Sequence, residues 1–268
     1  MNNSFSLINK NIILTGAAGI LGQQLSQAYL NAGANLALLD FNEDALNTLR
    51  NELCSNNKSN FITYKVDLTK ENEVNNTINA IANEFKSIDV LHNNAATKGK
   101  SVEEFLKPFE DYKLSTWNDV MNGNLTSIFL MAQAVGKIMK KQKYGNIIQT
   151  ASIYGVITPD KNIYKGSYYN NLEISSPATY SVSKNAVIAL TKYLASYWGE
   201  HNIRVNSISP GGIYSGQNET FVSKYSNKVP LGRMAKENDV LGLAVFLASD
   251  ASSYITGQNI VVDGGLSL

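Results

Sequence analysis

Cysteine is almost absent. Cys54 stands alone, so no disulfide can form within the chain, and a reduced, cytoplasmic setting is the expectation. Histidine is nearly as scarce. His92 and His201 have no Cys or carboxylate cluster at ligand spacing beside them, so no metal site is expected. His92 ends a predicted core strand and reads as a structural histidine with satisfied hydrogen bonds. No charge of one sign dominates: 23 Lys+Arg against 22 Asp+Glu leave a formal +1, which gives no electrostatic reason to expect nucleic acid or an anionic membrane as partner. Long apolar runs are missing too. The longest, around Val240 to Ala248, falls far below the ~20 residues that span a bilayer, and reads as a buried helix. The segment Met1 to Lys10 lacks the basic start and apolar core of a signal peptide. What remains is a globular composition, 44% hydrophobic and 17% charged, expected to form one domain over residues 1–268.

Short β-rich runs alternate with longer helical patterns. Strands are predicted at 11–15, 35–39, 61–66, 88–92, 146–150, 203–208 and 259–263. Helices are predicted at 19–32, 42–53, 70–85, 124–141, 178–198 and 237–247. Continuous apolar strands separated by helices imply a parallel sheet covered on both faces. Right-handed crossovers then give an α/β, Rossmann-type, doubly wound and mostly parallel seven-stranded sheet. Residues 98–114 and 158–177 read as inserted loops. The second is rich in Tyr, Asn, Ser and Gly, which suits a substrate-contacting segment.

Thr15-Gly-Ala-Ala-Gly-Ile-Leu-Gly22 follows the first strand and opens the first helix. Gly16 permits a tight turn, Gly19 lets backbone approach a pyrophosphate, and Gly22 lets helix pack closely on strand. The helix N-terminus supplies unpaired N–H groups and partial positive charge for an anion. Ile20 and Leu21, in the same turn, are expected among the cofactor contacts. Asp40 ends the second strand, 18 residues past Gly22. A carboxylate there can accept hydrogen bonds from ribose hydroxyls and would repel a 2′-phosphate, which favours NAD over NADP; its alternative role is to cap the following helix.

Tyr180-Ser-Val-Ser-Lys184 places Tyr and Lys four apart on one helix face. By itself that spacing also describes a surface pair. In an active site, the ammonium would lower the phenol pKa from about 10, fitting Tyr180 to pass a proton to a carbonyl or take one from an alcohol. Ser152, after the fifth strand, can hydrogen-bond the substrate oxygen. Asn124, opening the long predicted helix, has an amide suited to organising a water between Lys184 and solvent.

In this order, several segments resemble the short-chain dehydrogenase/reductase family along essentially the whole chain. They are Thr15-Gly…Gly22, Val66-Asp67-Leu68, Asn93-Asn94-Ala95, Asn124-Leu-Thr, Ser152, Tyr180…Lys184, Asn206-Ser-Ile-Ser-Pro210-Gly211 and Ile255…Gly265. The resemblance implies a catalytic set of Asn124, Ser152, Tyr180 and Lys184. It implies that Asp67 contacts adenine, with Leu68 beside it, and that Asn94, with Ala95, steadies the fourth strand near the cofactor. Lys184 would also hold the nicotinamide ribose, Pro210 and Gly211 would lie beside the nicotinamide, and Ile213 near its carboxamide. The implied reaction is hydride transfer interconverting a secondary alcohol and a ketone. The ending Ile255 to Gly265 is similar to segments that form subunit contacts in tetrameric relatives, which implies a homo-oligomer, a tetramer or a dimer.

The chain departs from the family pattern. Its glycines stand at 16, 19 and 22, where the middle one usually comes a residue later; Ala96 replaces a common Gly, and Ser215 a common Thr. Ser152 and Tyr180 are 28 residues apart, about twice the usual distance. In the extra segment Tyr164, Lys165, Tyr168, Tyr169 and Asn170 could stack on a sugar or grip a phosphate or carboxylate; a packing loop at a subunit contact is the other reading. The insert is similar to oxidoreductases of flagellin-modification and nonulosonic-acid sugar pathways. Residues 214–234 read as a substrate lid, or as a plain surface helix. Two alternatives stay open. One is a sugar-nucleotide epimerase or dehydratase, which the glycine spacing favours but for whose sugar domain the sequence after Asp263 leaves little room. The other is an NAD-sensing module, disfavoured because all four catalytic positions are filled.

Overall fold

The structure, a computed structural model, describes residues 4–56, 58, 60–169 and 172–268. Asn170 therefore lies outside the described residues. In chain order the strands are β1 (Asn11–Thr15), β2 (Asn35–Asp40), β3 (Phe61–Lys65), β4 (Val90–Asn93), β5 (Gly145–Thr150), β6 (Tyr168–Tyr169), β7 (Leu172–Glu173), β8 (Ile203–Pro210) and β9 (Asn259–Val262). The helices are α1 (Ile20–Asn31), α2 (Glu43–Ser55), α3 (Glu71–Phe85), α4 (Val102–Phe105), α5 (Leu114–Met121), α6 (Ser127–Gln142), α7 (Lys161–Tyr164), α8 (Ala178–Trp198), α9 (Glu219–Ser226) and α10 (Asn238–Ala248).

Seven strands form one parallel sheet in the order β3-β2-β1-β4-β5-β8-β9, and β6 pairs antiparallel with β7 alone. Strand side chains alternate between faces, and here both faces are dry. In β1, Ile12 and Leu14 join a core with Leu25 and Tyr29 of α1, Leu46 and Leu49 of α2, and Val240 and Ala244 of α10. Ile13 points the other way, to Val74 and Ile78 of α3, Met131 and Val135 of α6, and Trp198 of α8. Burial on both sides explains why the strands read as unbroken apolar runs. Truncating Leu14, fully buried, to Ala is worth about 2–5 kcal/mol. The order reverses between β1 and β4, so a crevice opens beyond the carboxyl ends of these two strands, where α/β sheets of this kind take ligands.

Three expectations need correction. The helix expected at 124–141 begins ten residues earlier: α5 runs through a π turn at Asn122–Thr126 into α6. Thr116 and Val120, four apart and buried, continue the helical face upstream, while Asn122, Gly123 and Asn124 looked like a helix break. Residues 98–114 hold α4, capped by the Ser101 side chain accepting from the Glu104 N–H at 3.3 Å. The 158–177 insert is not a plain loop, whereas the 214–234 segment includes a helix, as one of its two readings had it. The insert contains α7 and the β6–β7 hairpin; the later segment contains α9, capped by Asn218.

These two segments share a small core of their own, in which Ile163 and Tyr164 pack against Phe221, Tyr225, Val229 and Met234. Polar ties reinforce it. Asn218 Nδ2 donates to the Tyr168 carbonyl at 3.0 Å, Lys224 Nζ donates to the Lys165 carbonyl, and Lys228 pairs with Asp160 at 3.1 Å.

Candidate active site

The glycine turn is built as its residue types require. Gly16 has φ +63, and a Cβ there would lie 2.8 Å from Ala95 Cα. A Cβ at Gly22 would lie 2.0 Å from the Gly16 carbonyl oxygen, so helix α1 could not start this close to β1 with any other residue. Gly19 is the N-cap of α1; no side chain caps the helix and no acidic residue occupies its first turn. The first-turn N–H groups therefore keep their capacity for an external anion. Asp40 is locked to this turn: its Oδ2 accepts from the Ala18 N–H and its Oδ1 from the Asn42 N–H, both at 2.9 Å.

Beside the turn lies a cleft of about 840 Å³. It is lined by Gly16, Gly19, Ile20, Leu21, Asp40, Asp67, Leu68, Asn94 and Ala95, all expected to contact a cofactor. Asp67 Oδ1 accepts from the N–H and hydroxyl of Thr69. Asn94 bridges strand and turn: its Nδ2 donates to the carbonyls of Thr15 and Gly16, and its N–H donates to Thr15 Oγ1 at 3.0 Å.

The remaining expected residues do not line this cleft; they gather at the ends of β5 and β8. Pro210 closes β8, the Gly211 N–H donates to the Val262 carbonyl at 2.8 Å, and Ile213 bridges to Ala235. Ser152 is buried just past β5, its Oγ accepting from the Tyr154 N–H at 3.2 Å. Tyr180 and Lys184 occupy the first two turns of α8, with Lys184 Nζ 5.9 Å from the Tyr180 ring centroid. Lys184 is 2% exposed and donates to the Thr150 carbonyl at 2.8 Å. Burial pulls its amine down to about 8.

The expected acidification of Tyr180 by Lys184 is opposed by burial. Burial holds the phenol above its ordinary value, and the influence working against burial is a hydrogen bond with Ser152. The lysine instead directs its hydrogen bond to Thr150. Asn124 sits inside the π turn, fully buried, with Oδ1 accepting from the Thr97 N–H at 2.7 Å and Nδ2 donating to Ser183 Oγ at 3.4 Å. Its carboxamide thus ties the helix both to the loop after β4 and to α8.

Comparison with known proteins agrees with this geometry. The sequence model of a family described as enoyl-(acyl carrier protein) reductase matches residues 16–267. A flagellin modification protein A of Campylobacter coli is 33% identical over 98% of this chain and 100% of its own. An NAD-dependent glycerol dehydrogenase of Listeria innocua is 31% identical over 100% and 97%. A crystallised short chain dehydrogenase of Leptospira borgpetersenii with bound NAD+ superposes with TM-score 0.87 and 33% identity, covering 100% of this chain and 96% of that one. The chain belongs to the short-chain dehydrogenase/reductase family. As a short-chain dehydrogenase/reductase it is a nicotinamide-dependent oxidoreductase acting between alcohols and ketones.

Two residues of this dehydrogenase went unread in the sequence. Phe41, 70% exposed beside Asp40, lines the cleft; an aromatic directly after the strand-end carboxylate was the available signal. Tyr154, two residues past Ser152, keeps a buried hydroxyl that no hydrogen bond of normal geometry reaches, although the Tyr164 hydroxyl is near enough to perturb it. Nothing in its spacing marks it.

Proposed function

We propose that the enzyme uses NAD(H) to interconvert a secondary alcohol and a ketone on a polar, sugar-like substrate. The observation that carries this reading is the meeting of Ser152, Tyr180 and Lys184 at the end of β5, beside a glycine turn to which Asp40 is fastened. The residues suit a dinucleotide: an uncapped helix N-terminus for the pyrophosphate, Asp40 for the adenosine ribose, Asp67 for adenine, and Asn94, Pro210, Gly211 and Ile213 toward the nicotinamide. When bound, the nicotinamide accepts or donates the hydride.

Tyr180 is the proton-transfer group, its hydroxyl giving a proton to a ketone oxygen or taking one from an alcohol. Ser152 hydrogen-bonds both Tyr180 and the substrate oxygen, steadying charge as it develops. Lys184 would hold the ribose of a bound dinucleotide, and its ammonium, beside the Tyr180 ring, favours the phenolate form. Asn124 holds the loop at Thr97 against α8 and so fixes the floor under this group.

Two features support NAD and a polyhydroxylated substrate. Asp40 would repel a 2′-phosphate, and the relative from Listeria innocua is named for NAD and glycerol. Tyr164 of the insert packs its ring on Tyr154, two residues past Ser152, which brings the insert close to the site, and the identity to the flagellin modification protein supports the corresponding sugar-pathway subgroup. We read the chain as one domain acting in the cytoplasm as a homotetramer. Among the described residues no helix is long and apolar enough to cross a membrane, and exposed Tyr254 and Leu268 offer apolar contact area near the carboxyl end.

The test is Tyr180→Phe assayed by NADH absorbance with glycerol, D-threitol and gluconate. The expected loss in kcat is about 10²–10⁴-fold with cofactor binding retained; equal turnover by variant and parent refutes the assignment. Light scattering on the eluting peak decides the tetramer.

A further inference from the structure

We propose that His92 is a positioning residue for the dinucleotide site: it fixes Thr150, and through Thr150 both the carbonyl that anchors Lys184 and the carboxamide of Asn94. The proposal rests on the reading of Lys184 and the glycine turn as cofactor-binding residues.

His92 lies on β4 between β1 and β5, level with Leu14 and Ile148, on the face that packs against α1. Its neighbours in that layer are aliphatic, and an aliphatic residue at 92 would fill the space without needing partners. The histidine instead joins a chain of hydrogen bonds. Tyr29 Oη and His92 Nδ1 are 2.8 Å apart, His92 Nε2 and Thr150 Oγ1 are 2.9 Å apart, and Thr150 Oγ1 donates to Asn94 Oδ1 at 3.4 Å. Tyr29 is fully buried and His92 1% exposed.

The direction of the chain follows from donor counting. Thr150 gives its hydroxyl hydrogen to Asn94, so its oxygen accepts from His92, and the ring proton sits on Nε2. Nδ1 is then an acceptor, and the Tyr29 hydroxyl donates to it. Burial keeps the ring neutral, with its pKa near 3, so no ordinary pH reverses this order. At the far end, the Asn94 amide group donates to the Thr15 and Gly16 carbonyls, and the Thr150 carbonyl accepts from Lys184 Nζ. One buried imidazole thus connects the phosphate turn to the lysine at the opposite end of the site.

The chain can be tested directly, because the protein has only two histidines. Long-range ¹H–¹⁵N spectra of the ligand-free enzyme should show His92 neutral with the proton on Nε2 from about pH 5 to about 9. Titration within that range, or a proton on Nδ1, overturns the chain.

Its consequence is read by NADH binding, followed by fluorescence, with adenosine, which carries no phosphate, as a probe that does not engage the glycine turn. His92→Val should weaken NADH by about tenfold and adenosine by less than about twofold, and His92→Gln, which keeps an N–H donor, should recover most of the loss. Should His92→Val not fold, Tyr29→Phe, which removes one hydroxyl from a packed ring, should give the same contrast at about threefold. Unchanged NADH binding, or equal loss for both probes, overturns the positioning role. A parent that binds no dinucleotide refutes the cofactor reading itself, and the positioning role falls with it.

Discussion

Lys184→Met should stabilise the ligand-free protein at neutral pH while abolishing turnover. Burial lowers the Lys184 amine from 10.5 to about 8, which puts a penalty of about 3 kcal/mol on the charged form at pH 7. Methionine of similar length removes that penalty and forfeits one charge-assisted hydrogen bond to the Thr150 carbonyl, about 1.5 kcal/mol. The variant should therefore be about 1–2 kcal/mol more stable at pH 7. Between pH 8 and 10.5 the unfolded parent still binds the lysine proton that the folded parent has released, so parent stability rises with pH across that window. By about pH 9.5 the parent regains about 2 kcal/mol, and the advantage of the variant shrinks to roughly nothing. Urea denaturation of both proteins without cofactor, at neutral and at alkaline pH, measures the two differences. A variant less stable than the parent at pH 7, or a difference that ignores pH, refutes the account of Lys184 as a costly buried charge.

The cofactor turn makes two further predictions. Gly22→Ala, which brings a Cβ against the Gly16 carbonyl, should weaken NADH binding by about a hundredfold or more and lower the melting temperature, since only backbone can give way; fluorescence titration and calorimetry check both. Asp40→Ser removes the acceptor shared by Ala18 and Asn42 and should weaken NAD by about tenfold while bringing NADP level with it. Parallel titrations decide the point, and an undiminished preference for NAD means that Asp40 is only a structural cap.

Residues 11–15 and 178–198 stand where periodicity put β1 and α8, because a doubly covered strand and a long helix each impose one dominant repeat. The glycine turn was equally legible, since φ at Gly16 and close approach at Gly22 restrict the residue type as well as its position. Other features belong to the tertiary structure. Helices α7 and α9 carry few apolar residues each, and Ile163 and Phe221 are buried in the core that their two segments form together. The π turn passes smoothly through Asn122 and Gly123, which local preference marks as a stop. The spacing of Tyr180 and Lys184 predicted their nearness. It could not predict that water would be shut out, and it is burial that decides how both groups titrate.

The small core shared by the insert and the 214–234 segment ties together two stretches nearly sixty residues apart in the chain. Transplanting either one into a relative would strand half of an interlocked pair. A designer wishing to redirect this enzyme toward another substrate should exchange both stretches as a single cassette, with Ile163 and Phe221 travelling together.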